Sequence, residues 1–259
     1  MHAKITLVRC VLFCLSLAAV PCVYASDNAP DSAGARAPLL FAGLADDDPF
    51  AGDDDNGAVS GSQVPDPIQD FNRPMYTFND KMYYYALKPA AQGFAFVLPE
   101  PSRVCLKNFF YNLSMPVRAA NCLFQLKGPE LGVELWRFII NSTAGIGGLF
   151  DPAGSFFYLP TYKEDTGQTF GRYGAEPGFY LMIPVLGPSS GRDSVGIIFD
   201  TLMDPLTYLP IPGARLLLEP VIKTSLDPNA YDEIKAASLD PYVAIRNGYL
   251  QKREADIKK

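Results

Sequence analysis

The stretch that decides the fold is ELWRFIINSTAGIGGLFDPAG, residues 134–154. Its first half is apolar almost all round, where a surface helix would have a narrower apolar stripe. The second half places Gly145, Gly147 and Gly148 between apolar residues, so the segment can bend. Charges and a polar Asn-Ser-Thr step interrupt it, which argues against a simple membrane span of about 20 residues. Two interpretations remain open: a buried helix, or a re-entrant or interfacial element.

The first 25 residues have the organisation of a secretory signal. A basic region with Lys4 and Arg9 precedes an apolar run at 11–20, and Val23-Tyr24-Ala25 resembles a cleavage site. We predict a signal peptide at 1–25, cleaved after Ala25, and therefore an exported protein. An uncleaved anchor is the alternative, although the apolar run is short for a span.

The acidic residues are concentrated directly after this signal. The mature chain has 20 basic and 28 acidic residues, since the signal contains two of the 22 basic ones, and its net charge is −8. Residues 26–66 contain nine Asp and one Arg, whereas 67–259 contain 19 charges of each sign. We predict that 26–65 form a disordered acidic tether. The balanced remainder has no basic surface for phosphates, so nucleic acid is not expected as a partner.

Histidine and cysteine usage limits the chemistry. The only histidine is His2, inside the signal, so the mature chain has no imidazole for general base catalysis or metal binding. We predict no metal site, no cofactor and no enzymatic activity. Cys105 and Cys122 remain after cleavage, in a compartment that permits oxidation. Either they form a disulfide or they are two buried free thiols.

An aromatic helix is predicted where the tether ends. Apolar side chains recur at steps of four, three, four and three, which places them on one helix face: Phe71, Met75, Phe78, Met82 and Tyr85. The opposite face has Asn72, Arg73, Asn79, Asp80 and Lys81. We expect Pro74 to lie in the first turn and Lys88-Pro89 to end the helix. The aromatic stripe fits a protein core or a membrane interface.

The remaining pattern predicts a mainly α fold, with little or no sheet and one domain at 66–259. Further helices are expected at 102–111, 115–126, 130–140, 195–203 and 214–225, and after the capping pair Asp240-Pro241. Glycine and proline recur every few residues between 155 and 200, which predicts mostly turns and short extended pieces.

One catalytic pattern is present. Residues 187–191, GPSSG, fit the G-x-S-x-G pattern of lipases. That nucleophile requires a preceding strand and a histidine partner, and here the motif contains a proline and the mature chain lacks histidine. We therefore interpret the motif as a turn and keep a lipid hydrolase as the least favoured alternative.

Four blocks of sequence resemble the MlaA (VacJ) family and follow the order of that family. They are DPIQDFNRPMYTFND (66–80), RFIINSTAGIGGLFDPAG (137–154), TFGRYGAEPGFYLMIPVLGPSSGRD (169–193) and DPYVAIRNGYLQKRE (240–254). The resemblance implies a ring of amphipathic and interfacial helices with Gly/Pro-rich connections, lying in the inner leaflet of a Gram-negative outer membrane.

The resemblance also implies a function. Members of the family remove mislocalised phospholipids from the outer leaflet through an amphipathic channel. They pass these lipids to a periplasmic carrier, lie beside an outer-membrane porin trimer and catalyse no reaction. A structural, porin-associated envelope protein without transport activity is the alternative. On this basis the predicted channel and membrane-embedded residues are Phe71, Asn72, Arg73, Phe78, Asn79, Trp136, Phe138, Asn141, Gly145, Gly147, Gly148 and Phe150.

One feature departs from the family. Its members are lipidated on a cysteine that follows a lipobox, whereas Cys22 follows Ala19-Val20-Pro21, with no leucine three residues before it and a proline where a small residue belongs. We predict a mature N-terminus at Ser26, with acylation of Cys22 as the alternative.

Overall fold

The computed structural model describes residues 66–208 and 214–259. The predicted signal peptide, the acidic tether and Cys22 lie outside the described residues. The described chain is mainly helical with one small sheet, which confirms the predicted fold class. The ring arrangement implied by the resemblance stays a prediction.

Helices account for most of the described chain. The α-helices are α1 (Gln69–Met82), α2 (Lys88–Val97), α3 (Glu100–Leu113), α4 (Met115–Phe124), α5 (Gly128–Thr143), α6 (Pro152–Ser155), α7 (Thr166–Arg172), α8 (Gly191–Met203), α9 (Ala214–Leu226), α10 (Ala230–Ala236) and α11 (Pro241–Lys258). A π-helical turn (Tyr83–Leu87) joins α1 to α2, and a 3-10 turn (Pro205–Tyr208) follows α8. Strands β1 (Tyr180–Ile183) and β2 (Gly187–Ser190) form an antiparallel hairpin.

The aromatic stripe of α1, for which a core and a membrane interface were both open, is partly exposed in the structure. Asn72 and Asn79 are fully buried, whereas Phe71 and Phe78 are each 48% exposed. The reason is that both asparagine amides bond to the backbone of the β-hairpin, more than 100 residues away, and these bonds offset the free energy of burying them.

The first helix also extends further than predicted. Pro74 lies inside α1, beyond its first turn, and Lys88-Pro89 begins α2 instead of ending the helix. The π-helical turn explains this continuity, because the backbone N–H of Lys88 bonds to the Tyr83 carbonyl, five residues back. Pro89 then lies in the first turn of α2, a position in which proline is common.

The region between 155 and 200 is more ordered than predicted. It contains α7, the hairpin and most of α8, with Asp165 and Ser190 as side-chain N-caps. The 187–191 motif is therefore not a turn, because β2 leads directly into α8. Strand β2 pairs with β1, and the proline at 188 is tolerated there because the sheet has two strands. By contrast, Asp240 caps the C-terminal helix as predicted, accepting from the backbone N–H groups of the next turn.

The main core is built from tyrosines. Its buried members are Tyr83, Tyr180, Met182, Tyr231, Tyr242, Ile245 and Tyr249. Most of these phenols have a hydrogen-bond acceptor; Tyr231 donates to Asp80 Oδ1 at 2.8 Å and Tyr249 to Asp193 Oδ2 at 2.5 Å. Burial raises the pKa of Tyr83 to about 12, so its hydroxyl stays a neutral donor. This core joins α1 and the hairpin to the C-terminal helices.

Candidate functional site

Helix α5 has polar side chains inside and apolar side chains outside. Glu134, Arg137 and Asn141 follow one another on a single helix face and are all buried. Trp136 is 61% exposed, and Ile139 is exposed on the same side. A helix in a water-soluble protein has the opposite arrangement. The apolar residues of the deciding stretch therefore face outward, and the fold rests on its polar residues.

The carboxylate of Glu134 ties α5 to three other parts of the chain. Its Oε2 accepts from Arg118 Nε of α4 at 2.9 Å. Its Oε1 accepts from the Tyr111 hydroxyl at 3.1 Å and from the backbone N–H of Tyr162 at 2.9 Å. The Arg118 guanidinium also lies 3.8 Å from the centre of the Tyr111 ring. Burial raises the pKa of Tyr111 well above its usual value, so this phenol remains a donor.

A second polar group holds the chain that follows α5. Asp151 accepts from Arg137 Nη2 at 2.7 Å and from Asn141 Nδ2 at 2.8 Å. Asn141 Oδ1 in turn accepts from the backbone N–H of Ala153 at 3.0 Å. Arg137 also donates to the carbonyl of Leu159. These bonds fold residues 151–159 back against α5, so that the element is bent and not one straight helix.

The glycines form the turn of that bend. A Cβ on Gly145 would lie 2.5 Å from the backbone oxygens of Asn141 and Phe150. Gly148 has φ +91°, and a Cβ there would lie 2.4 Å from the side chain of Asn112. Gly147 also has positive φ, but a Cβ on it would meet no atom within 4 Å. Two of the three glycines are therefore required by close approach, and the third by backbone conformation alone.

Buried polar contacts continue between α4, α7 and α8. Lys127 and Glu164 form an ion pair at 2.8 Å that is almost fully enclosed. Asp200 accepts from the Thr166 hydroxyl at 2.6 Å and from Asn121 at 3.2 Å. Burial nevertheless raises the pKa of Asp200 to about 6, because the surrounding groups do not compensate for lost hydration.

The C-terminal helix closes this polar interior. Arg253 bonds to both oxygens of Asp165, at 2.6 and 2.9 Å, and to both oxygens of Asp193, at 3.0 and 3.1 Å. Burial alone would raise the pKa of Asp193, but the Arg253 guanidinium outweighs it and holds that pKa well below its usual value. The carboxylate is therefore ionised throughout the physiological range and fixes α11 on α7 and α8.

The predicted channel residues fall into two structural groups. Buried and bonded within the fold are Asn72, Asn79, Asn141, Gly145 and Gly148; exposed or half-buried are Phe71, Arg73, Phe78, Trp136, Phe138, Gly147 and Phe150. Asn72 Nδ2 donates to the Tyr180 carbonyl at 2.9 Å, and its Oδ1 accepts from the Met182 N–H at 2.8 Å. Asn79 bonds Ile183 and Val185 in the same way. Their contacts position the hairpin, and a role beside a lipid path stays a prediction.

Sequence reasoning missed the buried ion pairs. In the sequence Glu134 and Arg137 look like interruptions of an apolar segment, although their spacing of three places them on one helix face. That spacing, with Asn141 four residues further on, is the signal from which a polar stripe could have been found. The sequence shows no comparable pattern at the partners, Arg118 on α4 and Asp151 after α5.

The two cysteines of the described chain form no disulfide. Cys105 and Cys122 are both buried thiols, which agrees with the second of the two alternatives. Burial raises the pKa of Cys122 to about 12, and nearby Glu164 raises it further. The thiolate needed for oxidation is therefore disfavoured.

Three findings bear on catalysis, metal binding and membrane spanning. Ser189 of the lipase-like motif is buried, and its hydroxyl lies 3.0 Å from that of Ser194. Across residues 66–208 and 214–259, no cluster of three or more acidic, histidine or cysteine side chains is placed to hold a metal ion. Within the same ranges, no helix combines the length and apolarity that crossing a bilayer requires.

Comparisons with known proteins agree on one family. Residues 64–256 match the family model described as "MlaA lipoprotein". An uncharacterized protein of Rickettsia bellii is 36% identical over 200 residues, which are 76% of this chain and 78% of that protein. The "Intermembrane phospholipid transport system lipoprotein MlaA" of Escherichia coli K12 is 32% identical over 194 residues, 73% of this chain and 77% of the relative.

A solved structure is similar as well. The match has a TM-score of 0.66 and 31% identity, and it covers 74% of this chain and 99% of the solved chain. That structure was reported as the "Structural basis for maintenance of bacterial outer membrane lipid asymmetry".

Proposed function

Because this chain belongs to the MlaA lipoprotein family, we propose that it is an outer-membrane phospholipid transport component that maintains lipid asymmetry. It takes mislocalised phospholipids from the outer leaflet and passes them through an amphipathic channel to a periplasmic lipid carrier. It lies in the inner leaflet, on the periplasmic side of the outer membrane, next to a porin trimer. The direction of transport follows from the family resemblance.

The observation that carries this proposal is the outward-facing apolar surface. On α8, Val195, Ile198, Phe199 and Leu202 are exposed while Asp193 is buried, which repeats the arrangement of α5. Such a surface is unfavourable in water and favourable in hydrocarbon. Helix α5 has 16 residues, so it is about 24 Å long, shorter than a bilayer core of about 30 Å. A helix of this length is too short to cross the bilayer, and it fits within one leaflet when it lies along the membrane plane.

The chemistry required is modest. A phospholipid moves when its head group stays in contact with polar groups and its acyl chains stay in contact with apolar surface, because exposing either part to the wrong medium costs free energy. A continuous amphipathic path meets this requirement without a covalent step. We therefore propose a conduit with no catalytic residue and no cofactor.

Complementation tests the transport function. In a strain that lacks its own family member, this chain should restore the outer-leaflet lipid barrier, measured by detergent sensitivity and by outer-leaflet phospholipid labelling. Trp136→Lys should remove the chain from the membrane fraction and abolish restoration, because it places a charge on the apolar face of α5. Leu239→Lys is the matched control, since Leu239 is fully exposed beside the charged Asp240. Correct localisation without restoration would refute transport.

The two alternatives have their own readouts. A structural envelope protein would bind porin and reach the membrane while the lipid barrier stayed defective. A hydrolase would lose activity in Ser189→Ala, whereas a conduit should be unaffected, since the Ser189 hydroxyl is buried and bonds to Ser190 and Ser194. Accumulation of lysophospholipid that depends on Ser189 would favour the hydrolase.

A further inference from the structure

Four non-glycine residues in the described chain have a positive φ, and all four have large apolar or aromatic side chains. They are Leu126 (58°), Ile146 (53°), Tyr158 (52°) and Val185 (72°). This region of backbone space is normally occupied by Gly, Asn or Asp. For a bulky or β-branched residue it is strained, so each of these turns holds a side chain at the expense of backbone free energy.

Packing within the chain does not account for the strain. Leu126 and Tyr158 are each 84% exposed, Ile146 is 66% exposed and Val185 is 39% exposed. At Leu126, Ile146 and Tyr158, Asn or Gly would relieve the backbone and would leave no cavity, whereas the side chain of Val185 is partly buried. The side chains are therefore suited to contact something outside the chain.

The surroundings of these turns favour lipid over protein. No charged residue occurs in 138–150, 152–162 or 177–191, the stretches that contain three of the four turns. The charged neighbour of the fourth, Lys127, is buried and paired with Glu164. A protein interface normally has a polar rim that carries charge, whereas uncharged aliphatic and aromatic tips match the boundary between head groups and acyl chains.

The position of two of these residues adds a geometric argument. Leu126 lies just before α5 and Ile146 just after it, so they mark the two ends of a helix about 24 Å long. Between them, Leu135, Trp136 and Ile139 are exposed. Exposed apolar residues thus lie at both ends of α5 and in its second half, as expected for a helix that lies parallel to a membrane surface with a contact at each end.

We infer that Leu126, Ile146, Tyr158 and Val185 are lipid-contact tips, retained despite their strain because they hold the chain in a phospholipid leaflet. This inference rests on the membrane location in the proposed function. It attributes binding to the leaflet to these strained turns, and it links their backbone strain directly to membrane affinity.

The test compares two substitutions at each tip. Ala removes the side chain and keeps the strain, whereas Asn removes the side chain and tolerates positive φ. The purified mature chain is mixed with vesicles of phosphatidylethanolamine and phosphatidylglycerol, and partition is measured by flotation. Ile146→Ala and Ile146→Asn should both lower the partition coefficient about tenfold. The Asn variant should unfold about 2–4 °C above the Ala variant, and the variants of Leu126, Tyr158 and Val185 should change in the same directions.

Leu239→Asn is the control, because Leu239 is fully exposed, has an ordinary φ and lies beside Asp240. It should change neither partition nor unfolding temperature. Unchanged partition in the tip variants would overturn the inference, as would an Asn variant less stable than its Ala counterpart. Loss of binding to a purified porin trimer with vesicle partition intact would assign the tips to a protein interface and refute lipid contact. If the wild type fails to complement while the variants partition as expected, the transport proposal is refuted and the inference of lipid-contact tips is not.

Discussion

The ion pair between Glu134 and Arg118 gives the strongest prediction about stability. The side chains are 0% and 8% exposed, and the carboxylate also accepts from Tyr111 and Tyr162. Glu134→Gln keeps the shape of the side chain and removes its charge, which leaves the Arg118 guanidinium buried without a counter-ion. Breaking a buried pair in this way costs roughly 3–5 kcal/mol. We expect the variant to lose at least about 3 kcal/mol of unfolding free energy.

The measurement is urea unfolding in detergent micelles, followed by the fluorescence of Trp136, the only tryptophan of the chain. Glu254→Gln is the matched control, because Glu254 pairs with Lys258 at 2.7 Å on the exposed surface of α11. That variant should show no measurable change, since solvent screens exposed pairs.

A double variant separates the charge from the contacts around it. Glu134→Leu combined with Arg118→Met removes both charges, so it should be at least about 1 kcal/mol more stable than Glu134→Gln alone. The reasoning is refuted if Glu134→Gln costs less than about 1 kcal/mol, because Arg118 would then not need its partner. A double variant that is less stable than the single one would show that the hydrogen bonds to Tyr111 and Tyr162, and not the charge, dominate.

Three further predictions concern the turn, the pH dependence and the thiols. Gly148→Ala should lower the unfolding free energy by several kcal/mol, because its Cβ would overlap Asn112 at positive φ. Gly147→Ala should lower it by only about 1 kcal/mol, through backbone strain. Thermal unfolding ranks the two variants, and equal losses would contradict the geometry. Because the pKa of Asp200 is raised to about 6, the wild type should lose unfolding free energy as pH rises from about 4 to 6, by at most roughly 3 kcal/mol, and should lose no more above pH 6. Asp200→Asn should abolish this pH dependence, and an unchanged dependence in that variant would exclude Asp200 as its source. Both cysteines of the described chain should react with an alkylating agent in denaturant without reductant, and a missing mass shift would indicate a disulfide.

Several local features were predictable because they depend on neighbouring residues. The cap at Asp240, the prolines at helix starts and the glycine turn after residue 143 follow from backbone chemistry within a few positions. The mainly helical class follows in the same way. The extent of α1 was misjudged because a π-helical turn has no comparable sequence signal, and the hairpin was missed because its partners include Asn72 and Asn79, far away in the chain.

The sequence by itself determined which residues share a helix face, because the helical period is fixed by backbone geometry. It also determined that residues 26–259 contain no histidine and that positive and negative charges balance from 67 to 259. Only the tertiary structure decided which face of each helix is inside. For α5 it is the polar face, and for α1 it is the side with Asn72 and Asn79, because buried amides and charges bond to distant elements: Asn72 to the hairpin, Glu134 to α4 and Arg137 to Asp151. The helical period of an apolar stripe is the same whether the stripe packs in a core or faces lipid. Which of the two occurs depends on contacts between distant residues, and no local pattern contains them.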